Sequence, residues 1–185
     1  MTSPRQPINP LNPNQHAGAA HPGGLSHVNA DGSACMVDVG EKPITARVAV
    51  AEGFIGISAE LERRIRDNTI DKGSVLEVAR LAGILAAKRT DELIPLCHSL
   101  ALDSIDVTAE LQSGRIRITA TARIHARTGV EMEALTAVAV ACLTVIDMGK
   151  AVDKGMVIEQ IRVLEKHGGR SGSFVAAAAE HGART

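Results

Sequence analysis

Charged side chains gather where helices of this sequence are expected to begin or end, and one such place is the loop before Ser74. Lys72 and Gly73 directly precede a helix start, where free backbone N–H groups and the positive end of the helix dipole attract anions. The same residues also suit an ordinary helix cap. Spacing therefore leaves two interpretations open, a phosphate-binding loop and a structural cap.

A second charged group closes the long apolar helix expected in the later part of the chain. Asp147 is the first charged residue after thirteen uncharged ones, and Lys150 follows it by three positions. Residues three apart share a helix face, so the two side chains can meet. The acid is either ion-paired or, where desolvated, has a raised pKa. The pair predicts either proton-transfer chemistry or a simple ion pair at a helix end.

Three further groups could bind or react, and each also has a structural interpretation. His98 ends an apolar run and is either an acid/base group or a hydrogen-bonded core histidine. Glu131 lies three residues after Thr128, as in a helix capping box, whereas Glu133 faces elsewhere on the helix. The segment 166–172 is basic and glycine-rich, and it suits either a phosphate-wrapping loop or a solvated tail. Together these residues indicate a site for a polyanionic small molecule that undergoes proton transfer.

Composition excludes several other classes of protein. The 185 residues carry a net charge of -1 and 1% aromatic residues, which argues against binding of duplex or single-stranded nucleic acid. Three cysteines without C-x-x-C spacing indicate neither a disulfide framework nor a zinc ribbon, and they suggest a cytoplasmic location. The apolar run 134–146 would span roughly 20 Å as a helix, too short for a bilayer core of ~30 Å.

The chain is expected to contain one domain between two tails. Residues 1–24 hold five of the seven prolines and are expected to be disordered, and residues 171–185 are expected to be a flexible tail. Residues 25–170 form the predicted domain. Periodicity within it predicts strands at 44–57, 105–111, 115–125 and 156–164, and helices at 59–67, 74–88 and 128–148.

The main elements follow the order β-α-β-β-α-β, which predicts a ferredoxin-like α+β fold with two main helices on one face of a four-stranded antiparallel sheet. The helix at 128–148 is apolar nearly all round, whereas a helix covering a small sheet should keep a polar stripe. We therefore expect this helix to contact another subunit in an oligomer.

Five long motifs in this order closely resemble those of the MoaC-type cyclic pyranopterin monophosphate synthases. The resemblance runs from about Leu25 to Phe174. Its motifs are Met36-Val37-Asp38-Val39, Ala86-Ala87-Lys88-Arg89-Thr90, Leu93-Ile94-Pro95-Leu96-Cys97-His98, Thr128-Gly129-Val130-Glu131-Met132-Glu133-Ala134-Leu135-Thr136 and Asp147-Met148-Gly149-Lys150-Ala151-Val152.

The resemblance implies an enzyme of molybdenum-cofactor biosynthesis. Its substrate would be (8S)-3′,8-cyclo-7,8-dihydroguanosine 5′-triphosphate, made from GTP by a separate radical enzyme, and its products cyclic pyranopterin monophosphate and pyrophosphate. The implied assembly is a hexamer, a trimer of dimers with active sites at subunit interfaces. No organic cofactor or essential metal is expected, although Mg²⁺ can accompany the substrate phosphates.

The resemblance also assigns site residues, motif by motif. The catalytic residues would be Asp147, Lys150 and Lys72. Substrate binding would involve Leu96, Cys97, His98, Met132, Glu133, Glu131, Lys166 and Arg47. Two positions depart from the family pattern: Ser99 stands where proline is usual, and Cys35 where histidine is common.

A mechanism follows as a hypothesis. Asp147 and Lys150 would act as an acid/base pair, and Lys72 and Lys166, with Arg47, would neutralise the triphosphate and the departing pyrophosphate. His98 and Glu133 would orient the base or the ribose. The alternative is a non-catalytic regulatory module of the same fold that binds a small molecule unchanged. An RNA-binding sheet would need exposed aromatic residues on its central strands, and residues 105–125 contain none.

Overall fold

A computed structural model describes residues 32–170 and 172–177. The predicted N-terminal tail, residues 1–24, lies outside the described residues, as do Ser171 and residues 178–185 of the predicted C-terminal tail. The chain divides after Val37 into two compact units. The helices and strands described here all lie in the unit that begins at Asp38.

This unit contains four helices and a five-stranded sheet among its described residues. The sheet order is β2-β3-β1-β4-β5, and every neighbouring pair is antiparallel. The elements are β1 (Thr45–Gly56), α1 (Ala59–Arg66), α2 (Val75–Ala87), α3 (Thr90–Leu93), β2 (Ser104–Gln112), β3 (Arg115–Ala126), α4 (Glu131–Gly149), β4 (Val157–His167) and β5 (Phe174–Val175).

The predicted mixture of helices and antiparallel strands is confirmed, but the prediction of a four-stranded sheet is wrong. The fifth strand, β5, pairs with the end of β4 through Phe174 and Val175, inside the segment expected to be a tail. The one-turn helix α3 was also not predicted. Both elements are too short to produce a hydrophobic period, which is the main signal in a sequence.

The β2–β3 hairpin shows why the sheet has one covered face and one open face. Gly114 takes a positive φ of 70° in the turn between the strands. Along β3, buried and more exposed residues alternate, so one face packs under helices while the other meets solvent. The buried row is Ile116, Ile118, Ala120, Ala122, Ile124 and Ala126.

Helix α4 covers this buried row and β1, helix α2 packs on β2, and the two helices pack tightly on each other. Gly83 of α2 lies so close to α4 that an added Cβ would stand 2.9 Å from the carbonyl oxygen of Ala137 and 3.4 Å from the Cβ of Ala141. A glycine is therefore required at this helix crossing. The contact fixes where the N-terminal end of α2 lies relative to α4.

Helix α4 is the one helix among the described residues that is long and apolar enough to cross a membrane. Within the most apolar 18-residue stretch of α4, 56% is buried inside the protein, as in a core helix. Burial by α2 and the sheet thus explains much of the missing polar stripe. Some large apolar side chains remain exposed on these two helices: Val78, Leu81 and Leu85 on α2, and Met132 and Leu143 on α4.

The open face of the sheet carries a buried acid between two arginines. Glu52 on β1 is only 4% exposed. Its carboxylate accepts hydrogen bonds from Arg117 on β3 and Arg162 on β4, each with a shortest distance of 2.9 Å. These pairs link the three central strands across the face that none of the described helices covers.

Candidate active site

One group of predicted catalytic residues meets at the C-terminal end of α4. Asp147 Oδ1 lies 2.6 Å from Lys150 Nζ, and Asp147 Oδ2 lies 3.0 Å from Lys72 Nζ. Lys72 also donates to the backbone carbonyl of Asp147, at 2.8 Å. The sequence predicted the contact with Lys150 from helix spacing, and the fold adds Lys72 from the loop before α2.

The hydrogen bonds from Lys150 and Lys72 lower the pKa of Asp147 to about 2. Its side chain is 60% exposed, so the alternative of a desolvated acid with a raised pKa is wrong. The helix ends at the surface, and both ammonium groups reach the carboxylate there. Asp147 is therefore an anion at neutral pH, and the proton donors of this cluster are the two lysines.

The loop before α2 behaves differently from an ordinary cap. Ser74 is the N-cap residue, but its side chain makes no capping hydrogen bond. Glu77, three residues further on, has the spacing of a capping-box partner but pairs with Arg80 at 2.6 Å. Gly73 has a positive φ of 91°, a conformation in which glycine is unstrained. This turn precedes α2 and directs Lys72 toward Asp147.

The other end of α4 holds a second group of predicted residues. The helix begins at Glu131, with Val130 as its N-cap, so the predicted capping box of Thr128 and Glu131 is wrong. Because Glu131 is the first helical residue rather than the third, its carboxylate is available for another contact. It pairs with Lys166 of β4, at 3.3 Å from Nζ.

A cavity of about 1050 Å³ opens beside Glu131 and Lys166. Arg47 of β1 also lines it, as the family resemblance implied. Five permanent cations and three carboxylates surround the space, a surplus of positive charge that suits an anionic ligand. The charged lining residues are Lys42, Arg47, Arg127, Lys166, Arg170, Asp38, Glu41 and Glu131.

Sequence reasoning did not single out Lys42 or Arg127 as candidates for this site. Lys42 lies three residues before β1, and Arg127 directly follows β3, which pairs with β1. The cross-strand pairing brings these two chain segments to the same edge of the sheet. Their proximity could be read from the sequence only with the β1–β3 register already known.

Glu133 forms the centre of a third group, one turn into α4. Its side chain is 4% exposed. Burial raises its pKa to about 7, and the charges of Glu131 and Asp91 act in the same direction. A carboxyl group with a pKa of about 7 is suited to proton exchange near neutral pH.

The segment Leu96–His98 lies close to this glutamate. Burial raises the pKa of the Cys97 thiol, and the nearby carboxylates of Glu133 and Asp91 raise it further. Leu96, Cys97 and His98 are half-buried, and Met132 is exposed beside Glu133. Ser99, at the position where the family usually has proline, hydrogen-bonds to Asp91. This bond links the segment to α3.

The predicted site residues do not all meet within one chain. Asp147 and Glu131 lie at opposite ends of α4, sixteen residues apart, and an α-helix rises 1.5 Å per residue. The two ends are therefore about 24 Å apart. The described residues hold no group of three or more His, Cys, Asp or Glu side chains placed to share a metal ion.

Comparison with known proteins gives consistent matches over most of the chain. The model of the MoaC family matches residues 36–169. A cyclic pyranopterin monophosphate synthase of Methylobacterium sp. (strain 4-46) is 59% identical over 154 residues, covering 82% of this chain and 96% of the relative. Proteins of the same name from Novosphingobium aromaticivorans and Cereibacter sphaeroides (strain ATCC 17029 / ATH 2.4.9) are 56% and 55% identical, covering 83% and 84% of this chain and 98% and 99% of their own lengths.

Proposed function

The chain belongs to the MoaC family, and from that premise we propose that it is a cyclic pyranopterin monophosphate synthase of molybdenum-cofactor biosynthesis. It converts (8S)-3′,8-cyclo-7,8-dihydroguanosine 5′-triphosphate into cyclic pyranopterin monophosphate and pyrophosphate. The names of its relatives support the activity, and the cation-rich cavity suits the triphosphate. We further propose that it acts in the cytoplasm without an organic cofactor, with Mg²⁺ accompanying the phosphates.

The reaction needs proton transfers at nitrogen and carbon. A hydroxyl oxygen of the substrate then loses its proton and attacks the innermost phosphorus, and the bond from that phosphorus to pyrophosphate breaks. Glu133, with a pKa of about 7, both donates and accepts protons near neutral pH. Lys150 and Lys72 are positioned by their hydrogen bonds to Asp147 and supply protons or stabilise developing negative charge. Arg47 and Lys166 bind the phosphates in the cavity.

The length of α4 supports the proposal that two chains build each site. A substrate of nucleotide size cannot touch both ends of a helix about 24 Å apart. A second copy of the chain can bring its Asp147 end to the Glu131 end of the first. The exposed apolar stripe of α2 and the uncovered sheet face offer surfaces for such contacts. The proposed assembly is a hexamer of ferredoxin-like subunits, built as a trimer of dimers.

The activity is tested by supplying the purified protein with the cyclic intermediate and, separately, with GTP. Release of pyrophosphate and of a product with the mass of cyclic pyranopterin monophosphate, from the intermediate alone, is the expected result. Binding of the intermediate without turnover would instead support the regulatory module. Because the chain has no Trp or Tyr, fluorescence of the oxidised pterin is measured against a low protein background.

Shared sites are tested by mixing two inactive variants, Asp147→Asn and Lys166→Ala, under conditions that allow subunits to exchange. In a mixed two-fold dimer, one site carries both substitutions and the other carries neither, so random exchange restores about a quarter of wild-type activity. A mixture of Asp147→Asn and Lys150→Ala is the control, because both residues lie at the same end of α4. Recovery equal to that control would show that each chain builds its own site.

A further inference from the structure

The cavity beside Arg47 contains polar groups that the protein itself leaves without partners. Among the described residues, two buried side-chain atoms lack any hydrogen bond, Thr45 Oγ1 and Arg47 Nε. Both residues line the cavity, and they lie two apart on β1, on the same side of the strand. A buried polar atom without a partner costs about 1–3 kcal/mol. Each of these two atoms exposes almost no surface, so the donors that a ligand in the cavity can reach are the terminal nitrogens of the Arg47 guanidinium.

Arg47 is held in place by few polar contacts. Among the described residues its guanidinium makes one hydrogen bond, from Nη2 to the carbonyl oxygen of Arg127, at 3.5 Å. That distance is long for an N–H···O bond. Most of the five donors of the guanidinium are therefore uncommitted. Its position must be set mainly by packing.

The surface against which Arg47 packs is the turn after β4. Gly168 and Gly169 take positive φ angles of 93° and 83°. A Cβ added at Gly169 would stand 1.7 Å from Arg47 Nη1 and 2.7 Å from its Cζ. The guanidinium thus occupies the space that any other residue at position 169 would fill with its side chain.

The two glycines face different obstacles. A Cβ at Gly168 would stand 2.2 Å from the backbone carbonyl oxygen of Ala46, so a substitution there must move the main chain of β1. At Gly169 the obstacle is the far end of a flexible side chain. A substitution at Gly169 carries the strain of its positive φ, but the contact that its side chain meets is relieved by displacing the guanidinium.

We propose that Gly169 is a positioning residue, whose missing side chain lets the Arg47 guanidinium lie over the cavity with its donors free for the substrate phosphates. The inference rests on the proposed function for the identity of the substrate. It rests on geometry alone for the effect on phosphate binding. Arg47 touches the ligand, and Gly169 acts through Arg47.

The test compares Gly169→Ala with Gly172→Ala in the full-length protein. Gly172 has a positive φ of 68° but nothing within 4 Å of an added Cβ, so its variant carries similar backbone strain without the displaced arginine. For turnover of the cyclic intermediate, we expect Gly169→Ala to raise KM about 10- to 100-fold, the size of losing charge-assisted hydrogen bonds, with a smaller change in kcat. Gly172→Ala should stay within about twofold of wild type.

A double-mutant cycle separates positioning from a general structural effect. In an Arg47→Ala background, Gly169→Ala should raise KM no further, because the displaced group is already gone. A full additional rise in that background would overturn the proposal. So would a Gly169→Ala variant whose KM matches that of Gly172→Ala.

A second readout does not depend on turnover. Calorimetric binding of inorganic tripolyphosphate should weaken in Gly169→Ala and in Arg47→Ala by similar factors, and stay near wild type in Gly172→Ala. If the wild type failed to turn over the intermediate but showed this binding pattern, the proposed function would fail and the positioning role would stand. Unchanged tripolyphosphate affinity in Gly169→Ala would overturn the positioning role, whatever the activity.

Discussion

Replacing Glu133 with glutamine removes a buried acid whose ionisation opposes folding. Burial raises the pKa of Glu133 from its ordinary 4.5 to about 7, because the charged carboxylate loses its water. The folded protein therefore holds this proton more tightly than the unfolded chain does. Stability falls as the pH rises from 4.5 to about 7, and above that range the full penalty remains. Glutamine has nearly the same shape and never ionises, so its variant escapes the penalty.

The size of the effect follows from the shift in pKa. One pKa unit corresponds to about 1.4 kcal/mol. A move from 4.5 to about 7 therefore destabilises the ionised folded state by about 3 kcal/mol. For a chain of this length, that free energy corresponds to a melting temperature about 6–12 °C lower. The Glu133→Gln variant should match wild type near pH 5 and melt higher than wild type by most of this amount at pH 8.

The assay is urea and thermal unfolding of both proteins at several pH values between 5 and 8. All other titratable groups are common to both proteins, so their contributions cancel in the difference. Glu159→Gln serves as the control, since Glu159 is exposed on β4 and its variant should track wild type at every pH. A difference between Glu133→Gln and wild type that stays constant with pH would refute the reasoning from burial.

Three further substitutions test other features. Glu52→Ala leaves Arg117 and Arg162 without their shared carboxylate and should lower the free energy of unfolding by about 3 kcal/mol, measured in urea, with exposed Glu159→Ala as control. Thr45→Val removes a buried hydroxyl without a partner and should raise the free energy of unfolding by up to about 1 kcal/mol, measured in urea; a lower free energy of unfolding would contradict this. Asp147→Asn should reduce turnover by about 10²–10⁴-fold while leaving the melting temperature nearly unchanged, because its ion pairs are exposed; an equally large loss of stability would contradict this.

The regular elements were predictable because their periods are long. Twelve residues of alternation identify β3, and nineteen mostly apolar residues identify α4. The start of α4 was misplaced because Thr128 and Glu131 have the spacing of a capping box, yet the helix begins at Glu131. The pairing of Glu131 with Lys166 uses a contact between distant parts of the chain, which local spacing cannot reveal.

The candidate site was predictable in its residue types but not in its arrangement. Family resemblance identified Lys72 and Asp147, and the structure brings them to 3.0 Å. It also places Glu131 at the far end of the same helix, about 24 Å away. Each motif is local, so the motifs name the residues without stating the distances between them.

The close crossing of α2 and α4 at Gly83 has a mechanical consequence for Lys72. The N-terminal end of α2 lies about 12 Å along the helix from Gly83. A small change of the crossing angle at Gly83 would therefore displace that end of the helix. A methyl group at Gly83 would wedge the helices apart and swing Lys72 away from Asp147, although neither residue touches the glycine. Alignment of the lysine and the aspartate is thus set by the gap between two helices. A single methyl group in that gap would therefore move the Lys72 ammonium group at the protein surface.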